Sequence, residues 1–128
     1  MTQPATILLA EDDRILRKAG EATLTKRGYA VIAAVDGEDA LAKARAHKPD
    51  LILLDVIMPK LQGFDVLASL KGDAATRDIP VIMLSNLQED ADVRRAAEAG
   101  AVGYLVKSNV PLDVLAATVA AVLARPRE

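Results

Sequence analysis

Leu51-Ile52-Leu53-Leu54-Asp55 is four aliphatic residues closed by a carboxylate, and Ile7-Leu8-Leu9-Ala10 is closed by three, Glu11-Asp12-Asp13. Continuous apolar runs of this length fit strands of a parallel sheet that is buried on both faces. In an open sheet of that kind the carboxyl ends of the strands share one edge, where ligands bind. The acids closing the two runs would then crowd one small space. Like charges at close range repel unless a cation lies among them. The two runs alone therefore point to a hard-cation site with oxygen ligands, for which magnesium is the natural ion.

Outward from these runs the chain alternates. Residues 5–10 read as the first strand, followed by a helix from Arg14 to Lys26 with apolar positions Ile15, Leu16, Ala19, Ala22 and Leu24; Gly28 ends it. Ala30 to Val35 is the second strand, Asp36-Gly37 a turn signal, and Glu38 to His47 a helix stopped by Pro49. Asp50 to Leu54 is the third strand, and Phe64 to Lys71 a short helix. Val81 to Leu84 is the fourth strand, with a helix from Glu89 to Ala99 closed by Gly100. Val102 to Val106 is the fifth strand, and Pro111 to Ala124 the last helix, with proline suited to its first turn. Five strand–helix alternations predict an α/β fold with a five-stranded parallel sheet and helices on both faces.

Bulk properties narrow the function. The 128 residues fit one domain with a core of about residues 5–124, and 52% apolar content excludes a disordered chain. The net charge of −2, with acids and bases interspersed, argues against direct nucleic-acid binding. Tyr29, Phe64 and Tyr104 are the only aromatic residues, too few for a base-stacking platform. Absence of cysteine excludes disulfides, thiol catalysis and zinc–thiolate sites, and suits a reducing cytoplasm. Neither a signal segment nor an apolar stretch of membrane-crossing length is present. The tail Arg125-Pro126-Arg127-Glu128 reads as a frayed end or the start of a linker.

The residues that follow the strands form a chemical set. Strand one delivers Glu11, Asp12 and Asp13; strand three Asp55; strand four Ser85; strand five Lys107. A carboxylate can attack phosphorus to form an acyl phosphate, while a metal ion and a cationic side chain neutralise the moving phosphoryl group. Asp55 would be the nucleophile, Glu11 and Asp12 would hold the metal, Lys107 would meet one phosphoryl oxygen and Ser85 would donate a hydrogen bond to another. Asp13 reads instead as the N-cap of the first helix. His47, the single histidine, reads as a surface residue near a helix end. The run Gln88-Glu89-Asp90-Ala91-Asp92 reads as the start of a helix rather than a metal site.

Taken together, Glu11-Asp12, Asp55-Val56-Ile57-Met58-Pro59 with Gly63, Ser85, and Tyr104 with Lys107 resemble the receiver domain of bacterial two-component response regulators. The resemblance runs from about Ile7 to Leu123. It implies a flavodoxin-like fold with strand order 2-1-3-4-5, and transfer of a phosphoryl group to Asp55 from a sensor histidine kinase or histidine phosphotransfer protein. It implies magnesium held by Glu11, Asp12, Asp55 and the backbone carbonyl of Ile57. It places Ser85 and Tyr104 as switch residues that remodel the face made by helix four, strand five and helix five. It implies a cytoplasmic monomer or weak phosphorylation-dependent dimer, which catalyses only its own phosphorylation and dephosphorylation. The family usually carries proline after the lysine, often with a cis bond; here Ser108 follows Lys107. A cis bond before serine costs about 3 kcal/mol. A stand-alone receiver and a piece of a longer protein are both open. Two other readings remain beside the receiver: a scaffold-only module, and an aspartyl-phosphate phosphatase of the haloacid dehalogenase type. The phosphatase class places a second aspartate two residues after the nucleophile, where this chain has Ile57.

Ile57 and Leu87 stand two residues past Asp55 and Ser85, positions that in this family flank the path of the hydrolytic water. Neither can orient water by hydrogen bonding. Purified phosphoprotein should therefore keep its label far longer than receivers with polar groups there, and loss within seconds in a time course of intact mass would contradict this.

Overall fold

The computed structural model describes residues 4–58, 60–85, 90–107 and 111–124. The elements run β1 (Thr6–Ala10), α1 (Arg14–Lys26), β2 (Ala30–Ala34), α2 (Gly37–His47), β3 (Leu51–Asp55), α3 (Gly63–Gly72), β4 (Val81–Ser85), α4 (Asp90–Glu98), β5 (Gly103–Val106) and α5 (Leu112–Leu123). All four strand pairings are parallel and the order is β2-β1-β3-β4-β5, the order that the resemblance implies. Asp55 and Ser85 belong to their strands rather than following them, which fixes both on the sheet lattice.

Side chains of a strand alternate between faces, so each aliphatic run feeds two cores. Leu8, Ala10, Ile52, Leu54, Val81 and Met83 pack with Ala40, Phe64, Leu67, Leu70 and Ala96 of α2, α3 and α4. Ile7, Leu9, Leu51, Leu53, Ile82 and Leu84 pack with Leu24, Leu115, Val119 and Val122 of α1 and α5. This is why β3 and β4 read as unbroken apolar runs: every residue in both is buried.

Two expectations meet a different local outcome. Ile15 and Leu16 belong to α1 but are exposed, at 80% and 46%. They lie in the helix's first turn, directly after the Asp13 cap. Asp36-Gly37 is not a free turn. Asp36 is the N-cap of α2 and accepts a hydrogen bond from the Asp39 amide at 2.8 Å, and Gly37 opens the helix. Sequence reads turn and cap alike because a short acidic side chain serves both. Asp13 caps α1 as expected, accepting from Ile15 and Leu16 amides, and His47 is exposed at the end of α2. Asp90 begins α4, whereas Gln88 and Glu89 lie outside the described residues, as do Leu87 and the Lys107–Ser108 bond.

The β3–α3 connection folds back tightly on the strand. An ideal Cβ at Gly63 would lie 2.2 Å from the Asp55 carbonyl oxygen and 2.7 Å from the Val56 Cα, and the Gly63 amide donates to the Val56 carbonyl at 2.8 Å. At Gly37 a Cβ would lie 2.1 Å from the Leu61 carbonyl oxygen, so the same connection also presses on α2. Backbone is the obstacle at both places and cannot step aside cheaply. Gly63→Ala should cost about 2 kcal/mol or more, as overpacking does, read as a lower urea midpoint. An unchanged midpoint would mean that the connection does not press on β3 as described.

Candidate functional site

The register brings the strand-end residues together. Ala10 pairs with Leu54, Asp55 with Leu84, and Ser85 with Val106, so Glu11, Asp55, Ser85 and Lys107 stand on four adjacent strands at one edge. Glu11, Asp55 and Ser85 are buried, at 2%, 4% and 1% exposure, whereas Asp12 is exposed. Candidate ligand oxygens of Glu11, Asp12 and Asp55 all lie within 4.8 Å of one another.

Lys107 bridges the two buried acids. Its Nζ lies 2.7 Å from Asp55 Oδ2 and 2.5 Å from Glu11 Oε1. The other Asp55 oxygen, Oδ1, accepts from the Ile57 amide at 3.3 Å, and Glu11 Oε2 accepts from the Asp13 amide at 3.2 Å. Burial pushes the Glu11 carboxyl above the ordinary glutamate range; the Lys107 ammonium opposes the rise and Asp55 adds to it. Burial by itself would pull Lys107 down, but its bonds to Asp55 and Glu11 outweigh that, and the ammonium is held above its usual range. One ammonium thus bonds two of three converging carboxylates but neutralises the charge of only one. An all-oxygen donor set with negative charge left over fits a hard divalent ion.

Tyr104 is half-buried and packs on the core beneath α2, α3 and α4. It borders a hollow of about 100 Å³ whose other walls include Val93, Ala96, Ala97 and Ala101. Ile57 is 56% exposed, directly after Asp55 and Val56. Among the described residues, those expected at the site therefore lie at this edge or, for Tyr104, on β5, the strand that leads to Lys107. Sequence reasoning missed Arg17, whose Nη1 donates to the carbonyls of Glu11 at 2.9 Å and Asp12 at 3.3 Å. The available signal was a cation one turn into a helix whose cap, Asp13, adjoins the acids.

Comparison with known proteins agrees with this geometry. Residues 7–119 match the response regulator receiver domain. The chain is 44% identical over 110 residues to a gliding motility regulatory protein of Myxococcus xanthus, covering 86% of this chain and 14% of that protein. It is 42% identical over 120 residues to the transcriptional regulatory protein AfsQ1 of Streptomyces coelicolor, covering 94% of this chain and 52% of that protein. Among solved structures, the chemotaxis protein CheY4 of Vibrio cholerae superposes with a TM-score of 0.87 at 31% identity, covering 93% of this chain and 98% of that one. The chain belongs to the response regulator receiver domain family. It is thus a receiver domain of the two-component response regulators, and it spans about half or less of the length of these two curated relatives. Among the described residues, no helix is long and apolar enough to cross a membrane.

The raised Glu11 value has a sign that can be checked without metal. A carboxyl that holds its proton more tightly when folded contributes stability below its ordinary value of 4.5 and loses it as pH rises through the raised value. Glu11→Gln stays neutral throughout. The stability of metal-free Glu11→Gln, relative to wild type, should therefore rise between pH 4.5 and neutrality, measured by urea unfolding. A relative stability that falls over this window would reverse the assigned direction.

Proposed function

We propose that this chain, residues 1–128 with a core of about 5–124, is a phospho-acceptor receiver. In this reading Asp55 takes a phosphoryl group from a sensor histidine kinase or histidine phosphotransfer protein in a magnesium-dependent reaction in the cytoplasm. The observation that carries the reading is the Lys107 ammonium, held 2.7 Å from Asp55 and 2.5 Å from Glu11 at an edge where Asp12 adds a third carboxylate.

An Asp55 carboxylate oxygen attacks phosphorus. The new P–O bond forms as the P–N bond to the donor imidazole breaks, and the imidazole nitrogen keeps the electron pair. Lys107 shifts from the Asp55 carboxylate to a phosphoryl oxygen, and the Ser85 hydroxyl donates to another. Glu11, Asp12, Asp55 and the Ile57 carbonyl would hold magnesium, which supplies further charge neutralisation on the phosphoryl group. The added charge and acceptors draw Ser85 towards Asp55. Tyr104 then moves into the space released beside the hollow under α4, changing the α4–β5–α5 face for a protein target. The module works as a monomer or a weak phosphorylation-dependent dimer, with neither nucleic acid nor membrane contacted by this chain, and it turns over no substrate besides its own phosphoryl group. Exposed, apolar Ile57 stands where a dehalogenase-type phosphatase carries its acid, which favours a switch over a phosphatase.

Incubation with acetyl phosphate and magnesium should add one phosphoryl group to the wild type and none to Asp55→Asn, read by intact mass. An adduct on both proteins, or on neither, overturns the acceptor role.

A further inference from the structure

Arg17 occupies a place that helix energetics does not favour. A cation near a helix N-terminus faces the positive end of the dipole, and α1 has no acid in its first turn beyond the Asp13 cap, whose carboxylate is engaged by the Ile15 and Leu16 amides. Its guanidinium nevertheless turns back over the cap, where Nη1 meets the Glu11 and Asp12 carbonyls at 2.9 and 3.3 Å. Those carbonyls belong to the two residues whose side chains join Asp55 in the acidic cluster. The Glu11 backbone is also tied to β2 by its amide, which donates to the Ala34 carbonyl at 3.0 Å, and its carboxylate is held by Lys107 and the Asp13 amide. Asp12 is exposed, past the end of β1, and its carbonyl rests on Arg17.

We infer that Arg17 is a positioning residue for cation binding: its guanidinium fixes the peptides after Glu11 and Asp12 and so presents both carboxylates to a divalent ion in a set arrangement. This rests on the metal-site reading above. One guanidinium nitrogen carries two N–H groups, so Nη1 alone can donate to both carbonyls while the helix backbone holds the stem of the side chain. Groups that orient ligands from behind commonly change metal affinity 10- to 100-fold when removed.

Charge and positioning predict opposite signs here. Removing a nearby positive charge would by itself tighten cation binding, whereas releasing the two peptides would weaken it. Manganese is a suitable paramagnetic probe for a carboxylate and carbonyl site. Binding of Mn2+ would be followed by the electron paramagnetic resonance signal of the free ion, in the full chain, for wild type, Arg17→Met, Arg17→Lys and Asp12→Asn. Arg17→Met should bind Mn2+ about 10-fold more weakly than wild type, with Arg17→Lys recovering part of the loss. In the metal-free protein, amide exchange at Asp12 and Asp13 should quicken in Arg17→Met while α5 amides stay unchanged. Arg17→Gln replaces Arg17→Met if that variant fails to fold. Affinity equal to or tighter than wild type in a folded neutral variant overturns the inference. Equal binding by wild type and Asp12→Asn overturns the metal-site reading itself, and this inference with it.

Discussion

The ammonium of Lys107 lies between two buried carboxylates that come from different strands, Glu11 after β1 and Asp55 at the end of β3. Three such groups reach one point only if β1, β3, β4 and β5 keep parallel register with their carboxyl ends aligned. Burying any one of these charges alone would be costly, and together they offset one another. The arrangement is still not neutral: one ammonium faces three carboxylates, because Asp12 joins Glu11 and Asp55. That residual charge suits the edge to a divalent ion.

The surroundings hold this cluster from behind. Gly63 lets the β3–α3 connection close on the Asp55 peptide, and Gly37 lets the same connection close on α2. Lys60, in the left-handed region at φ 70°, reaches Asp36 at 3.5 Å and ties the connection to the α2 cap. On the other flank, Asp13 caps α1 and Arg17 grips the carbonyls before the cap. The turn after β1 is thus bound to α1, and the turn after β3 to α2.

The strands were legible because burial on both faces leaves no room for polar interruption, as in Leu51–Leu54 and Val81–Leu84. That Asp55, Glu11, Asp12 and Lys107 would meet at one edge was legible because each lies at the end of such a run. Asp36 was read as a turn and proved to be a cap, since an aspartate satisfies backbone amides in either setting. Ile15 and Leu16 were read as apolar positions of the first helix and are exposed, whereas Gly20 and Leu24 are the buried residues of α1. A periodic pattern shows that a helix has an apolar side; it does not show how far the sheet extends beneath it.

Arg17 marks the boundary between what the chain alone determines and what folding adds. Residue order by itself set the alternation of elements, the buried strands and the identity of the groups at their ends, because these follow from local pattern and from the geometry common to parallel sheets. Which oxygen of Asp55 meets Lys107, that Glu11 shares the same ammonium, and that Arg17 turns back to two carbonyls were decided only in three dimensions. Lys107 and Asp55 are 52 residues apart in sequence, and nothing local links them. Their contact exists because sheet register places strand ends side by side, and a hydrogen bond depends on tenths of an ångström that no spacing in a sequence encodes.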